Sequence, residues 1–462
     1  MNSRDRGMAT SIVLSALADQ FGERFSSSAA VRDQHSRGEG LATSLPPDAV
    51  VWPESKEEVC SVLALCNEHA VPVIPFGAGS SVEGHVSAPH GGVTLDLSRM
   101  NKVLAVHAQD GDCVVQPGVT REALNAHLKG SGLFFPVDPG ANATLGGMVS
   151  TRASGTTTMR YGSMWQNVLA LEFVTADGRL LRVGSRARKS SAGFDLVRLL
   201  CGAEGTLGVI TEITLRLHPL PEEMAAAVSG FPSLHDAVAA VIDMSASGIP
   251  FARIEFLDEQ QVRACNLYSH LDLPEQATLF LEFHGSATAV QEQAEVAQMV
   301  AAEHGGLDFK WSTKPEERSR LWHARHTAYF AALALRPGCE CIIADVCVPV
   351  SELANCVERA REDIDREGLI APILGHVGDG NFHVLFLPMP DVQDEQNAIA
   401  RVYDAIISRA LAVNGTCTGE HGIGLGKKSK LVAEVGPEVV GLMRSIKDVW
   451  DPKNILNPGK IF

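Results

Sequence analysis

Apolar and polar positions follow two periods along this chain. Val59, Val62, Leu63 and Cys66 recur at i, i+3, i+4 and i+7, one face of a helix, and Ser55 with Glu58 reads as a capping box at its start. A short helical stretch is expected near residues 12–21, inside a polar run over 1–45. Short apolar runs at 71–75, 93–97 and 114–116 read as strands, and a helix is expected from Arg121. LEFVTADGRLLRV predicts a hairpin around Asp177-Gly178. EGTLGVITEITLRLHPLP ends in a strand and a proline-rich break, which places a domain boundary near 219–223. Strands at 253–257, 278–284 and 341–348 belong to a second α/β lobe over 222–412, and glycine-rich, polar sequence returns from about 413.

Composition narrows the class. The chain has 462 residues, 45% hydrophobic and 20% charged, enough for two or three domains or one two-lobed enzyme and too apolar for disorder. With 39 basic against 55 acidic residues the net charge is -16, which disfavours nucleic-acid binding but leaves room for a local anion pocket. No run reaches the roughly 18–20 apolar residues of a transmembrane segment. The N-terminal stretch lacks a signal-peptide core, and Asp5, Asp19 and Glu23 argue against a transit peptide. Ten cysteines show no framework; Cys339 and Cys341 form a C-x-C pair and no C-x-x-C exists, which excludes the usual iron–sulfur and zinc-ribbon spacings. The cysteines read as reduced, in a cytoplasmic protein or one peripheral at the inner membrane.

Four stretches carry chemistry. PFGAGSS follows a strand, but Val82 stands at the third position of G-x-G-x-x-G, so a nicotinamide-type dinucleotide site is not supported. Residues 137–163, VDPGANATLGGMVSTRASGTTTMRYGS, are rich in small and hydroxyl side chains. They read either as a linker or as backbone running beside a ligand, where free N–H groups bind pyrophosphate. In HVGDGNFH, a two-residue turn at Asp379-Gly380 would set His376 opposite His383, with Cβ atoms about 4.5–5.5 Å apart. That spacing suits a shared divalent metal or simply a polar hairpin. In TGEHGIGLGKK, Glu420 would complete a two-histidine, one-carboxylate set and leave His421 as a base, unless the loop is merely solvated. Arg318, Trp322, Arg325 and Tyr329 fall on one helical face, which reads as a carboxylate clamp or as a solvated basic face. His35, His85 and His107 read as structural.

Together VVWPESKEEV, PFGAGSSVEGH, the 137–163 tract and EGTLGVIT resemble the FAD-binding half of the vanillyl-alcohol-oxidase superfamily. GHVGDGNFH, GEHGIG and DPKNILNPGK narrow the resemblance to its D-2-hydroxyacid dehydrogenase branch. That branch holds FAD-linked D-lactate dehydrogenases, glycolate oxidase catalytic subunits and D-2-hydroxyglutarate dehydrogenases. RDQHSRGEG, VTREALNAHL and LWHARHTAYFAALA point to the first of these.

The resemblance, over about residues 31–462, implies an α+β, two-lobed flavoenzyme. Its FAD-binding domain would be split over 1–221 and 413–462, around a cap at 222–412 with a mostly antiparallel sheet. FAD would lie along Pro75, Phe76, Gly77, Ala78, Gly79, Ser80 and Ser81, and along Pro139, Gly140, Thr144, Gly146, Gly147, Ser150, Thr151, Ser154, Gly155 and Tyr161. Glu204, Gly205, Gly208 and Ile210 would serve its adenine or ribose end, and Asn457 would close over it. Ser80 replaces the histidine that links FAD covalently in some members, which implies non-covalent FAD. By the same analogy His376, His383 and Glu420 hold zinc, manganese or iron, His421 is the base, and Arg325 binds the substrate carboxylate beside Trp322 and Tyr329.

Ile343 and Leu385 stand where D-2-hydroxyglutarate dehydrogenases place lysine and asparagine, which implies a small substrate with an apolar tail, D-lactate foremost. The reaction implied is oxidation to the 2-oxoacid, by hydride transfer to the flavin with metal-assisted loss of the hydroxyl proton. A quinone, a cytochrome or an electron-transfer protein would accept the electrons. The alternatives are a glycolate oxidase subunit acting in a complex, a transferase like alkylglycerone-phosphate synthase, and a metal-dependent hydrolase.

Overall fold

The Ser55 side chain accepts the Glu58 amide and starts a helix over Lys56–Glu68 that buries Val59, Val62, Leu63 and Cys66. Only this half of the expected capping box forms. The Glu58 carboxylate instead takes the Glu54 amide at 2.7 Å and a two-pronged pair with Arg24. The computed structural model describes residues 3–40 and 44–462; positions 1, 2 and 41–43 of the expected first domain lie outside the described residues. The chain divides into two units: Met1–Ser154, Ser163–Leu220 and Glu420–Phe462 form the first, and Gly155–Gly162 with Pro221–Gly419 form the second. The boundaries fall at 220/221 and 419/420, against the expected 221/222 and 412/413, and the small-residue tract is shared between the units.

In the first unit, strands Ala49–Val51, Val93–Asp96 and Val73–Phe76 pair in parallel, with Phe25–Ser26 antiparallel at one edge. Their apolar residues meet the Lys56–Glu68 helix in a core that includes Val51, Val73, Leu95, Val59 and Leu63. The C-terminal segment joins here: the Val73 amide donates to Ile455, and the Asn457 amide donates to Val73, both at 2.8 Å. A second sheet has five antiparallel strands, ordered Val103–His107, Asp112–Val115, Val209–Arg216, Val168–Val174, Leu180–Gly184. Its last pair is the expected hairpin, with Val174 opposite Leu180. The N-terminal helix covers Ser3–Phe21, longer than the stretch read from the sequence.

The second unit is built on a seven-stranded sheet. Its order is Leu307–Ser312, Glu223–Phe231, Ala277–Gly285, Phe251–Leu257, Ile373–Gly375, Asn381–Phe386, Ile342–Cys347, and every pairing is antiparallel. Register puts Arg253 opposite Glu282, Glu255 opposite Phe280, His383 opposite both Leu374 and Asp345, and Ile343 opposite Leu385. Because side chains alternate between faces, these residues line one face. The helices Pro315–His326 and Ala328–Ala334 supply the apolar cluster of Trp322, Ala328, Ala331, Leu257, Phe280, Leu374 and Leu385. The continuous helical face expected through Tyr329 is interrupted at Thr327, with φ -89° and ψ 7°. Its backbone N–H still donates to the His323 carbonyl at 3.0 Å, and its hydroxyl donates to the same carbonyl at 2.9 Å, a back-bond of the kind that bends a helix.

Candidate active site

His376 and His383 do not face each other across a two-residue turn. After Ile373–Gly375 the chain makes a 3-10 turn over Val377–Asp379, Gly380 takes φ +78°, and only then does Asn381–Phe386 begin. His383 therefore pairs with Leu374, two residues away from the expected partner. Both histidines are nonetheless buried, with ring centroids 5.4 Å apart at 84°. Each is backed by a fully buried carboxylate. His376 Nδ1 lies 2.7 Å from Glu255 Oε1, and His383 Nδ1 lies 3.5 Å from Asp345 Oδ1. Asp345 in turn accepts from Asn381 at 2.8 Å and from the Thr418 hydroxyl at 3.0 Å.

Arg325, 7% exposed, directs Nη2 to the second Glu255 oxygen at 2.6 Å. Among the described residues, its buried Nε and the buried Trp322 indole N–H have no hydrogen-bond acceptor. The Arg253 guanidinium lies 4.5 Å from the Trp322 ring centroid, and Arg253 Nε is 3.4 Å from Glu282. Glu282 also meets His284 Nε2 at 2.7 Å, and His284 Nδ1 meets the Tyr161 hydroxyl at 2.7 Å. Burial raises the Tyr161 pKa above its ordinary value. Tyr161, expected beside FAD, stands in the second unit, as does Gly155. Tyr329 is partly buried against the apolar cluster.

In the first unit the two glycine-rich stretches meet. A Cβ on Gly77 would overlap the Thr144 hydroxyl, so the Val73–Phe76 strand end and the start of the Leu145–Thr151 helix approach as only glycine permits. The Ser81 and Thr144 hydroxyls are buried without a hydrogen-bond partner among the described residues. Such groups are costly to bury unless a ligand satisfies them, which fits a bound dinucleotide. The Ser150 and Thr151 hydroxyls bond back to Gly146 and Gly147 within their own helix. Gly146 and Gly208 permit close packing against Pro117 and Phe173, and Ile210 is a core residue.

Glu204 is occupied by the protein itself. Its carboxylate accepts the Ile423 amide at 2.7 Å and the Gly424 amide at 2.8 Å, and lies 3.3 Å from His85 Nε2. Burial pushes this carboxyl up, but His85 and the two amides outweigh it and hold Glu204 below the usual carboxylate range. Asn457 is likewise engaged: its amide donates to the Glu204 and His85 carbonyls at 2.7 and 3.1 Å. The Glu204 side chain thus fixes the segment that follows His421, and the Asn457 side chain fixes the backbone at Glu204 and His85. Glu420 accepts from the Ser154 hydroxyl at 3.0 Å, and His421 Nε2 lies 3.8 Å from the Glu420 carboxylate.

The structure brings His376, His383, Arg325, Trp322, Tyr329 and Tyr161 into the second unit. It places Glu420, His421 and, apart from Gly155 and Tyr161, the residues expected beside FAD in the first. Glu255, Asp345, Glu282 and His284 escaped the sequence reading. The available signal was a charge inside an apolar strand: Arg253 and Glu255 in FARIEFL and Glu282 in TLFLEFH alternate with buried residues.

Known families match both parts of the chain. The family described as FAD binding domain matches residues 47–184, and that described as FAD linked oxidases, C-terminal domain, matches residues 220–461. A Danio rerio protein named "Probable D-lactate dehydrogenase, mitochondrial" is 48% identical over 442 residues, covering 95% of this chain and 89% of that one. The Arabidopsis thaliana "D-lactate dehydrogenase [cytochrome], mitochondrial" is 45% identical over 90% of this chain and 73% of its own length. In fold, the chain resembles the 4-ethylphenol oxidase of Gulosibacter chungangensis in its isoeugenol complex, with TM-score 0.80, 18% identity, and 98% and 97% of the two chains covered. Among the described residues no helix is long and apolar enough to cross a membrane. The chain belongs to the FAD-linked oxidases of the vanillyl-alcohol-oxidase superfamily and is an FAD-dependent oxidoreductase, similar over most of its length to D-lactate dehydrogenases.

Proposed function

We propose that the protein oxidises D-lactate and related small D-2-hydroxyacids to 2-oxoacids. The observation that carries this reading is the sheet face of the second unit. It holds two buried, carboxylate-backed histidines and the apolar cross-strand pair Ile343 and Leu385, and a buried arginine with an unsatisfied donor meets Glu255 from the helix Pro315–His326. The names of the similar proteins point the same way.

Residues 1–221 and 413–462 bind FAD, and 222–412 bind substrate, in this reading. Bound FAD, held non-covalently along 75–81 and the Thr144 region, supplies the two-electron acceptor. His376, His383 and Glu420 form a donor set suited to zinc, manganese or iron, which would acidify a coordinated hydroxyl. The chain leaves the second unit at Gly419, against Asn381 and Asp345, and Glu420 is the next residue. His421 takes the hydroxyl proton. Arg325 holds the carboxylate through its remaining donors, so that one face of the α-carbon is presented and the D-enantiomer is selected. Trp322 and Tyr329 border the methyl group, and Ile343 with Leu385 offers no partner to a second carboxylate. Electrons leave to a quinone, a cytochrome or an electron-transfer protein. The compartment is the cytoplasm or the periphery of the inner membrane, which cell fractionation tests.

Anaerobic titration with D-lactate, L-lactate, glycolate, D-2-hydroxybutyrate and D-2-hydroxyglutarate, followed by flavin absorbance, tests the function. Bleaching by D-lactate at the lowest concentration is expected. Bleaching by none of the five defeats the reading.

A further inference from the structure

We propose that Glu255 is a positioning residue that ties a metal-binding histidine to the substrate-binding arginine. The inference rests on the functional reading just given. Glu255 has no exposed surface, and its two oxygens are divided between two partners. Oε1 is 2.7 Å from His376 Nδ1, and Oε2 is 2.6 Å from Arg325 Nη2.

The first contact sets a tautomer. A carboxylate only accepts hydrogen bonds, so His376 must carry its proton on Nδ1. The lone pair then sits on Nε2, the arrangement in which a histidine can coordinate a metal. The second contact sets a position. Arg325 Nη2 and Glu255 Oε2 form a close ion pair outside hydrogen-bond geometry, which holds the guanidinium in place by charge, and its Nε donor remains without an acceptor among the described residues. A substrate carboxylate would therefore meet a guanidinium that is already in place.

Because one planar carboxylate serves both partners, a shift of His376 is passed to Arg325 through a single rigid group. The strand explains how this is possible. Glu255 lies within Phe251–Leu257, its register fixed by Phe280 on one neighbouring strand and by the pairing of Phe256 and Leu257 with Gly375 and Leu374 on the other. His376 directly follows Gly375, so the histidine and the carboxylate are set by the same pair of strands. The chemistry expected of Glu255 is thus neither acid nor base. It is the alignment of a metal-binding histidine with the arginine that holds the substrate carboxylate.

The test begins with the unaltered, FAD-loaded protein labelled with 15N-histidine. Long-range 15N–1H correlations, with the His376 signal identified by its loss in His376→Ala, report the tautomer directly. The Nδ1–H form is expected, and an Nε2–H form in metal-free protein overturns the proposal. The second arm is Glu255→Gln, which keeps shape but removes charge and must present an N–H to one of two donors. Zinc affinity, read by competition with a chromophoric chelator, should fall at least tenfold with FAD content unchanged. KM for D-lactate should rise at least tenfold, while Glu255→Asp lies between. Wild-type zinc affinity together with wild-type KM in Glu255→Gln overturns the coupling. If unaltered protein is not bleached by any hydroxyacid, the functional reading fails, and the tautomer and zinc arms still decide the role of Glu255.

Discussion

Gly77 and Thr144 stand so close that one added methyl group on the glycine would overlap the threonine hydroxyl. The two residues belong to separate stretches of sequence that only the fold joins. Gly77→Ala must push the Val73–Phe76 strand end away from the Leu145–Thr151 helix, at a cost of about 1–3 kcal/mol. FAD per chain, from the ratio of visible to ultraviolet absorbance, should drop at least fivefold. Thr144→Ala, which removes the obstructing hydroxyl, should restore part of it in the double variant.

Removing a ligand should separate metal from flavin. His383→Ala is expected to lose the divalent ion and at least 99% of turnover while FAD stays bound, an effect on the order of 10²-fold or more. Elemental analysis and the flavin spectrum check both halves. Chelation of the unaltered protein should reproduce the loss, and added zinc or manganese should reverse it. Full turnover after complete metal removal would falsify the assigned role.

The cross-strand pair Ile343 and Leu385 can be used to shift selectivity. In unaltered protein kcat/KM for D-lactate should exceed that for D-2-hydroxyglutarate at least tenfold, because a second carboxylate would be desolvated beside apolar side chains. Ile343→Lys with Leu385→Asn should raise the dicarboxylate value and narrow the ratio. An unchanged ratio removes these positions from the specificity argument.

Arg325→Ala should weaken activity and stability together. Loss of the clamp is expected to reduce kcat/KM for D-lactate by about 10²-fold or more. Glu255 would be left buried opposite an empty position, which costs about 3–5 kcal/mol for a broken buried pair. Thermal unfolding of Arg325→Met should fall less than that of Arg325→Ala, since methionine refills volume although the charge is still lost.

Lys460 offers a pH test remote from the substrate. It is 2% exposed, its ammonium donates to the Ser87 carbonyl at 2.6 Å and to Asn457 Oδ1 at 3.1 Å, and burial pushes its pKa down to about 7. Between about 7 and the ordinary 10.5, the unfolded chain holds a proton that the folded chain does not. Stability contributed by this group therefore rises with pH across that window and is lowest below it. The melting-temperature advantage of unaltered protein over Lys460→Met should grow between pH 6 and pH 9. A flat or shrinking difference contradicts the assignment.

The legible part of the molecule was that carried by local periodicity. The Lys56–Glu68 helix, the Val174/Leu180 hairpin and the strands Phe251–Leu257, Ala277–Gly285 and Ile342–Cys347 follow from local sequence pattern. The histidine pair was found for an incomplete reason. Asp379-Gly380 looked like a whole turn, but a 3-10 turn precedes Gly380, and tertiary packing rather than cross-strand pairing brings the rings together. Arg325 was legible as a candidate carboxylate clamp, with a solvated basic face as the rival, whereas its pairing with Glu255 was not, because a partner two strands of sequence away leaves no mark at Arg325 itself. The bend at Thr327 was hidden for a similar reason: a side-chain bond to the preceding turn bends the helix without altering its pattern.

The strand Val73–Phe76 takes its flanking hydrogen bonds from Ile455 and Asn457. On a ribosome this strand emerges well before its partners, which lie hundreds of residues further along the chain. At about 5–20 residues per second, the interval is tens of seconds. Meanwhile all but Gly155–Gly162 of the second unit is made as one continuous stretch and can close first. The nascent first unit thus waits with an open strand edge and apolar side chains exposed, a period in which truncated products should aggregate.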